Sequence, residues 1–442
     1  MFKKIFYSNH VQSAIAQFGS SMIAIVSFMI LARTMPQVTF GEWGLFLTLS
    51  SFFELLKAGF VATGYIKYSS GASQTVKEEL KASSWILNLG FVLVVFVLNY
   101  FIYLTGYFDM ESIILFLLLY PLYTIAAMPY NYFIWNSQIE LKMNRIAGIK
   151  IFNAVLFLTV CISSVYITLN LQTLVLLYIS SFALSSLLCL IIGDTGIFKI
   201  ILAKKSRLIQ LLLYGRFQML AFLGSNLLRS SDIFLISAFL GPKAVAIYLI
   251  PQRLWIMVIM PLASAIRVGF PIFSANHNSN NTAALKYNIE KYIGGLTLLY
   301  IPFACLLFIS ADYLVLAIGG DKYMAATILF RIFLIYSIFV PFDQIIGIAL
   351  DAVDKPDKNF IKVTVMTLVN IIGDLIVLFL YKDIELVAWV TLATILSGSI
   401  AGYIMLRKIV PIKLNSLFKV GYHEIKRNCI TFFSALKTNR LN

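Results

Sequence analysis

The stretch "NLLRSSDIFLISAFLGPKAVAIY", residues 226–248, reads as the end of a long apolar helix, a Leu-Gly-Pro turn and the start of another helix. Two charges, Arg229 and Asp232, interrupt the apolar run. A charge deep in a bilayer is costly unless it is paired or faces a polar interior. Either the stretch is no membrane helix, or its charges have a task inside one. Composition decides: of 442 residues 60% are hydrophobic and 12% charged, with a mean hydropathy of +0.88. A soluble domain carries about a quarter charged residues. The chain reads as an all-α polytopic membrane protein, and the two charges sit within a span.

Working outward, a span needs about 20 apolar residues. Twelve are placed, at roughly 13–34, 42–64, 84–105, 112–135, 147–168, 172–192, 215–240, 245–270, 293–311, 324–350, 361–381 and 385–406. The net charge of +15 would suggest nucleic acid in a soluble protein. Here it reads as basic loops facing anionic lipid, with no nucleic-acid partner. With the N-terminus taken as cytoplasmic, 25 Lys and Arg residues fall in cytoplasmic segments, from Lys3 and Lys4 through Lys362 to the tail. Only Arg33, Lys243, Lys322 and Lys382 fall on the opposite side. This asymmetry predicts both termini in the cytoplasm. The charged start and long apolar run of the first span predict an uncleaved helix rather than a signal peptide.

The outer loops are short and leave no room for a catalytic domain outside the membrane. The inner segment "FSANHNSNNTAALKYNIEKY" (273–292) is Asn-rich and reads as a flexible joint. Leu414, Leu417, Phe418, Tyr422, Ile425, Cys429, Phe433 and Leu436 recur at helical intervals among basic residues, predicting an interfacial amphipathic helix in the tail. Of the four cysteines, Cys161, Cys189 and Cys305 lie in apolar runs, and no CxxC is present, so packing is expected rather than metal or redox chemistry.

An internal repeat organises the spans. "FMILARTMPQVTFGEWGLF" (28–46) parallels "FLISAFLGPKAVAIYLI" (234–250), with Pro36 opposite Pro242 and Gly41 opposite Ala246. Six spans in each half start both halves on the same side, which makes the repeats parallel. The expected division is a six-helix lobe over 1–192, a cytoplasmic linker over 193–214, a second six-helix lobe over 215–408 and a basic tail over 409–442. Paired bundles of this kind suit alternating access around a central cavity.

These motifs resemble a known family. "LAR…P…FGEWGLF" and "SSDIFLISAFLGPKAVAIY" are similar to the first loop and the seventh span of polysaccharide-biosynthesis membrane proteins. These are the Wzx-type O-antigen flippases of the multidrug/oligosaccharidyl-lipid/polysaccharide exporter superfamily. The resemblance implies two six-helix lobes and movement of an undecaprenyl-diphosphate-linked glycan, such as a lipopolysaccharide O-antigen unit, to the outer leaflet of a bacterial inner membrane. Membrane lipids, a polysaccharide polymerase and chain-length proteins are the partners it suggests.

Six cations lie within spans: Lys57, Arg216, Arg229, Arg253, Arg267 and Arg331. Such residues normally face the bundle interior. A diphosphate crossing a region of low dielectric needs cations to offset its lost hydration, and the planar donors of Arg suit phosphate. Arg253 in "YLIPQRLWIMVIMP", Lys57 in the repeat-related second span, Arg229 and Arg331 are the diphosphate-binding candidates. Lys57 and Arg253 are expected to face each other. Glu54, three residues before Lys57, could simply pair with it; Arg229 and Asp232 could pair likewise. Arg216, Arg267 and Lys362 read as snorkelling to the interface. Asp232, Asp343, Asp374 and Glu54 are candidates for ion coupling or gating, with structural pairing the competing role. Gln17, Tyr123, Asn131, Gln218 and Asn226 could line a sugar path.

The histidines His10, His277 and His423 form no cluster, and no nucleophile, phosphate-loop or metalloprotease motif is present. No cofactor, metal or catalysis is expected. Two alternatives compete with the flippase reading. A multidrug or cation antiporter of the same superfamily would favour an acidic cavity. A glycan polymerase or glycosyltransferase would want a large outer loop.

Overall fold

The computed structural model describes residues 9–193 and 195–438, the side chains of 9–18, 225, 264 and 428–438 excepted. Lys3, Lys4 and the side chains of His10, Gln17, Cys429, Phe433 and Leu436 therefore lie outside the described residues. In the first half the helices are α1 (Asn9–Thr34), α2 (Gln37–Ser69), α3 (Gln74–Leu104), α4 (Glu111–Ile139), α5 (Met143–Ser163) and α6 (Leu171–Ile192). Then follow α7 (Lys205–Leu240), α8 (Pro242–Asn278), α9 (Thr282–Ile309), the short α10 (Ala311–Gly319), α11 (Ala326–Ser337) and α12 (Val340–Ala352). Last come α13 (Pro356–Leu380), α14 (Ile384–Arg407) and the tail helix α15 (Leu414–Thr438). No strand occurs among the described residues.

Among the described residues, nine helices are long and apolar enough to cross a membrane, and two bent pairs bring the number to 11. α1 adds the apolar stretch Gly19–Thr34. All twelve expected spans are thus helices. One bend, of 50°, divides α7 at Gly224–Asn226; a Gly-Ser pair is a common site for a sharp kink. The other, of 48°, separates α11 from α12, where Pro341 has no N–H to continue the ladder.

The Asn-rich segment read as a flexible joint is mostly helical. α8 runs to Asn278 and α9 starts at Thr282, leaving a turn of residues 279–281. Asn280 takes a left-handed φ of 54° there, a conformation Asn tolerates better than most residues. Asn281 then caps α9, its Oδ1 accepting the Ala284 N–H at 3.0 Å. The residue type that suggested flexibility was marking a turn and a cap.

By its contacts the chain forms two compact units, Met1–Ala246 and Ile247–Asn442. The boundary falls just after the Leu-Gly-Pro turn, so α7 belongs to the first unit although the repeat assigns it to the second half. Glycine explains this. α7 packs on α2, and a Cβ on Gly215 would come within 2.0 Å of the Phe60 carbonyl oxygen. Small residues let membrane helices approach this closely. Phe60 sits in a π-helical turn of α2, Ala58–Ala62, just past Lys57. At the other end of α2, a Cβ on Gly41 would lie 1.7 Å from the Pro242 carbonyl oxygen and 3.2 Å from the Ala246 nitrogen. The two turns that parallel each other in sequence touch in space.

In the second unit α13 packs on α14. The buried face of α13 is Lys362, Met366, Asn370, Asp374 and Leu378, one residue in every four. α15 lies across α9, where a Cβ on Gly294 would fall 1.9 Å from the Leu417 carbonyl oxygen and one on Gly421 would meet the Gly294 backbone at 2.3 Å. Two carboxylates secure the crossing. Glu290 accepts from the Lys413 N–H at 3.1 Å and the Ser416 hydroxyl at 2.6 Å. Glu424 accepts from the Tyr287 hydroxyl at 2.6 Å and from Lys291 at 2.7 Å. Burial alone would raise the Glu424 carboxyl, but the Lys291 and Tyr287 hydrogen bonds and the charges of Lys291 and Arg427 outweigh it and hold it below its ordinary range. The tail helix therefore has a protein face, while Leu414, Phe418 and Tyr422 stay exposed along another line.

Candidate functional site

α2 places Glu54 and Lys57 one turn apart on a face covered by α4 and α6. Lys57 is 1% exposed and donates to Glu54 Oε1 at 2.7 Å. The same oxygen accepts from Thr124 at 3.0 Å and Tyr120 at 3.3 Å. Beyond it lies an aromatic layer in which Tyr178 meets Trp43 at 5.2 Å and Tyr123 at 5.6 Å. Lys57 is thus a cation neutralised within its own helix. Glu42, on the same helix, is 8% exposed and accepts the Ser112 N–H at 2.8 Å. That puts a carboxylate at the N-terminus of α4, where the helix dipole favours negative charge.

In the second unit Lys362 corrects its expected role. It does not snorkel. It is 3% exposed and pairs with Asp343 Oδ1 at 2.7 Å, donating also to the Asp343 carbonyl at 2.9 Å. Gly347, Gly398 and Gly402 make room for the pair. Added Cβ atoms at these three positions would come within 3.4 Å of Lys362 or Asp343 side-chain atoms. The signal available in the sequence was the register: Lys362 is in step with Met366, Asn370 and Asp374, as a core position is and a loop lysine is not. Asp374 is fully buried on that same stripe, with the Asn370 amide donating to it at 3.5 Å.

Arg331 and Asp312 pair at 2.7 Å, with side chains 36% and 48% exposed, and the guanidinium lies over Phe308. Arg331 therefore arrives with its own counter-charge, outside the deep core. Arg229 and Asp232 share a helix face by spacing but differ in setting: Arg229 is exposed and Asp232 is 7% exposed. The 50° bend of α7 lies just before them. Arg253 is half-buried on α8, two residues after Pro251, and on the same helix the Trp255 ring meets Tyr336 at 4.6 Å. Lys57 and Arg253 belong to different units. Arg216 and Arg267 are exposed. Tyr123 and Asn226 are buried, Asn131 is half-buried, and Gln218 donates to Tyr214 at 3.2 Å.

Lys57, Arg331 and Lys362 each sit against a carboxylate. The remaining in-span cations, Arg216, Arg229, Arg253 and Arg267, are all arginines and all on α7 and α8, where Asp232 is the only acid between residues 205 and 278. Among the described residues no three His, Cys, Asp or Glu side chains are grouped to hold a metal ion.

Twelve helical spans in two repeats define a polytopic membrane protein. The chain belongs to the family described as polysaccharide biosynthesis protein, whose pattern it matches over residues 30–328. No curated protein matches it in sequence. Among solved structures it is similar to the lipid II flippase MurJ in an inward closed conformation, at 14% identity, with a TM-score of 0.71 and coverage of 96% of this chain and 93% of that one. It is equally similar to an inward-facing multidrug resistance MATE family transporter of the MOP superfamily, at 13% identity and TM-score 0.71, covering 90% and 96%. A MOP superfamily transporter from Pyrococcus furiosus, described as having a binding pocket of reverse polarity, matches at 14% identity and TM-score 0.59, covering 91% and 94%. At these identities the likeness establishes the fold.

Proposed function

We propose that this protein is a flippase that carries a polyprenyl-diphosphate-linked oligosaccharide, an O-antigen or other surface-polysaccharide unit, from the cytoplasmic to the outer leaflet. The observation that carries the reading is the cation distribution. Four of the six in-span cations, Arg216, Arg229, Arg253 and Arg267, are arginines on α7 and α8, and Asp232 is the only acid between residues 205 and 278. Guanidinium groups match a diphosphate bidentately, and a desolvated diphosphate needs such partners. A carrier of drug cations would want the opposite sign. Arg253, half-buried, is the principal diphosphate ligand in this reading, and Arg229, Lys57 and Arg331 are further candidates. Both termini lie in the cytoplasm, and the six-helix repeats alternate access without catalysis of their own. An ion gradient supplies the energy, with Asp343, Asp374, Asp232 and Glu54 as the carboxylates available for coupling or gating.

The test is reconstitution into liposomes with a short polyprenyl-diphosphate saccharide, following its exposure to an impermeant lectin. Wild-type protein is expected to expose it, and Arg253→Ala to insert normally but lose at least tenfold in rate. Exposure no faster than in protein-free liposomes would sink the reading. Undiminished rates in Arg253→Ala would remove Arg253 from the site.

A further inference from the structure

A second polar site lies in the first unit, where α2 meets α3. Where α2 ends and α3 begins, the turn "SSGAS" (69–73) reverses the chain through Gly71, at a φ of 77°. Beside it is a half-open pocket of about 350 Å³, its open mouth included. Its buried wall holds Ser69, 1% exposed, whose hydroxyl has no hydrogen-bond partner. A buried hydroxyl left without a partner is uncommon and costs about 1–3 kcal/mol. It therefore points to a polar occupant.

The other side of the pocket is the first two turns of α3. Ser73 stands at the N-cap with no side-chain bond to the helix, so the first N–H groups of a 31-residue helix remain available to an anion. Gln74, Lys77 and Lys81 project from these turns into the lining. Lys77 is half-buried and has no carboxylate partner among the described residues. The two acids at the rim are already engaged: Glu78 pairs with Lys199 and Glu140 with Lys142, each at 2.5 Å, and neither lysine lines the pocket. The pocket thus combines a positive helix end, lysine charge and a donor hydroxyl, with room for a phosphoryl group and not for an extended saccharide.

We propose that this pocket binds a phosphoryl group, supplied either by inorganic phosphate or by the headgroup of an anionic phospholipid. The N–H groups of the α3 first turn and Lys77 would hold its oxygens while the Ser69 hydroxyl donates from the buried side. The proposal does not rest on the transport reading: binding here is expected whether or not the protein moves a lipid-linked glycan.

The test uses full-length protein in detergent and in nanodiscs. In detergent, inorganic phosphate is titrated against chloride at equal ionic strength and melting is followed. In nanodiscs, retention of phosphatidylglycerol against phosphatidylcholine is read by native mass spectrometry. Wild type is expected to show saturable stabilisation by phosphate or selective retention of phosphatidylglycerol, and whichever appears identifies the source. Ser69→Ala should weaken that response several-fold without lowering the melting temperature of the unliganded protein, because it removes an unsatisfied buried group. Lys77→Gln should weaken it at least tenfold. Neither response in wild type, or responses of equal size in wild type, Ser69→Ala and Lys77→Gln, would overturn the site.

Discussion

Each unit buries a lysine against a carboxylate, and the two pairs are built differently. In the first unit Lys57 reaches Glu54 three residues away on its own helix, and Glu54 is 19% exposed and shared with Tyr120 and Thr124. In the second, Lys362 crosses from α13 to Asp343 on α12, both groups are within 4% of full burial, and three glycines clear the space. The first pair is a local device that lowers the cost of putting a charge in a helix. The second fastens separate helices. A charge in a membrane can thus be cheap to keep or structurally indispensable, and side-chain type does not say which.

The comparison can be broken most directly at Lys362. Lys362→Met leaves Asp343 buried without its cation, and a loss of about 3–5 kcal/mol is expected, read as a large drop in melting temperature in detergent. Adding Asp343→Leu should restore most of it, since an apolar pair of similar volume often replaces a buried ion pair without loss. A double variant as unstable as the single one would show that the pair does not act as a unit.

Lys57→Met is expected to cost less, about 1–3 kcal/mol, because Glu54 keeps two hydroxyl donors and some exposure. Equal losses at Lys57 and Lys362 would erase the distinction between local and cross-helix pairs.

The tail sharpens it further with a carboxylate held by several partners at once. The Glu424 carboxyl lies below its ordinary range in the folded chain. Its contribution is therefore complete above the unfolded-state value, about 4.3, and is lost as pH falls through the lower folded value. Protease cleavage within α15 should stay slow from pH 7 to about pH 5 and accelerate only below that. Glu424→Gln should cleave readily throughout; a flat profile shared by both proteins would deny Glu424 this role. The smallest effect is expected at Arg331→Ala, about 0–1 kcal/mol, since its pair with Asp312 is substantially exposed.

These pairs also mark how far the sequence could be read. Apolar run lengths located all twelve spans, and the Pro36 and Pro242 turns disclosed the repeat, because both signals are local. Glu54–Lys57 was legible for the same reason, lying at helical spacing. The Lys362 partner was not: the register marked Lys362 as a core position, but beside Lys355 and Lys358 it looked like one more basic loop residue, and its partner is 19 positions away. The joint predicted from asparagines at 276–281 failed because Asn serves caps and left-handed turns as readily as loose chain. Arg229 and Asp232 share a face by arithmetic, yet their burial depends on what packs beside the bent α7. The Ser69 pocket had no sequence signature, since an unsatisfied hydroxyl is a property of its surroundings.

The crossing of Gly294 and Gly421 bears on how this protein can be handled. Because the α9 and α15 backbones touch and Glu290 takes donors from the start of the tail helix, the last stretch of chain is a structural wall of the second unit. A shortened version ending near residue 410 would leave a bare glycine groove and a carboxylate stripped of two donors. Reporters or affinity handles are better attached beyond α15 than substituted for it, and loss of yield on trimming would be a folding defect rather than a loss of membrane targeting.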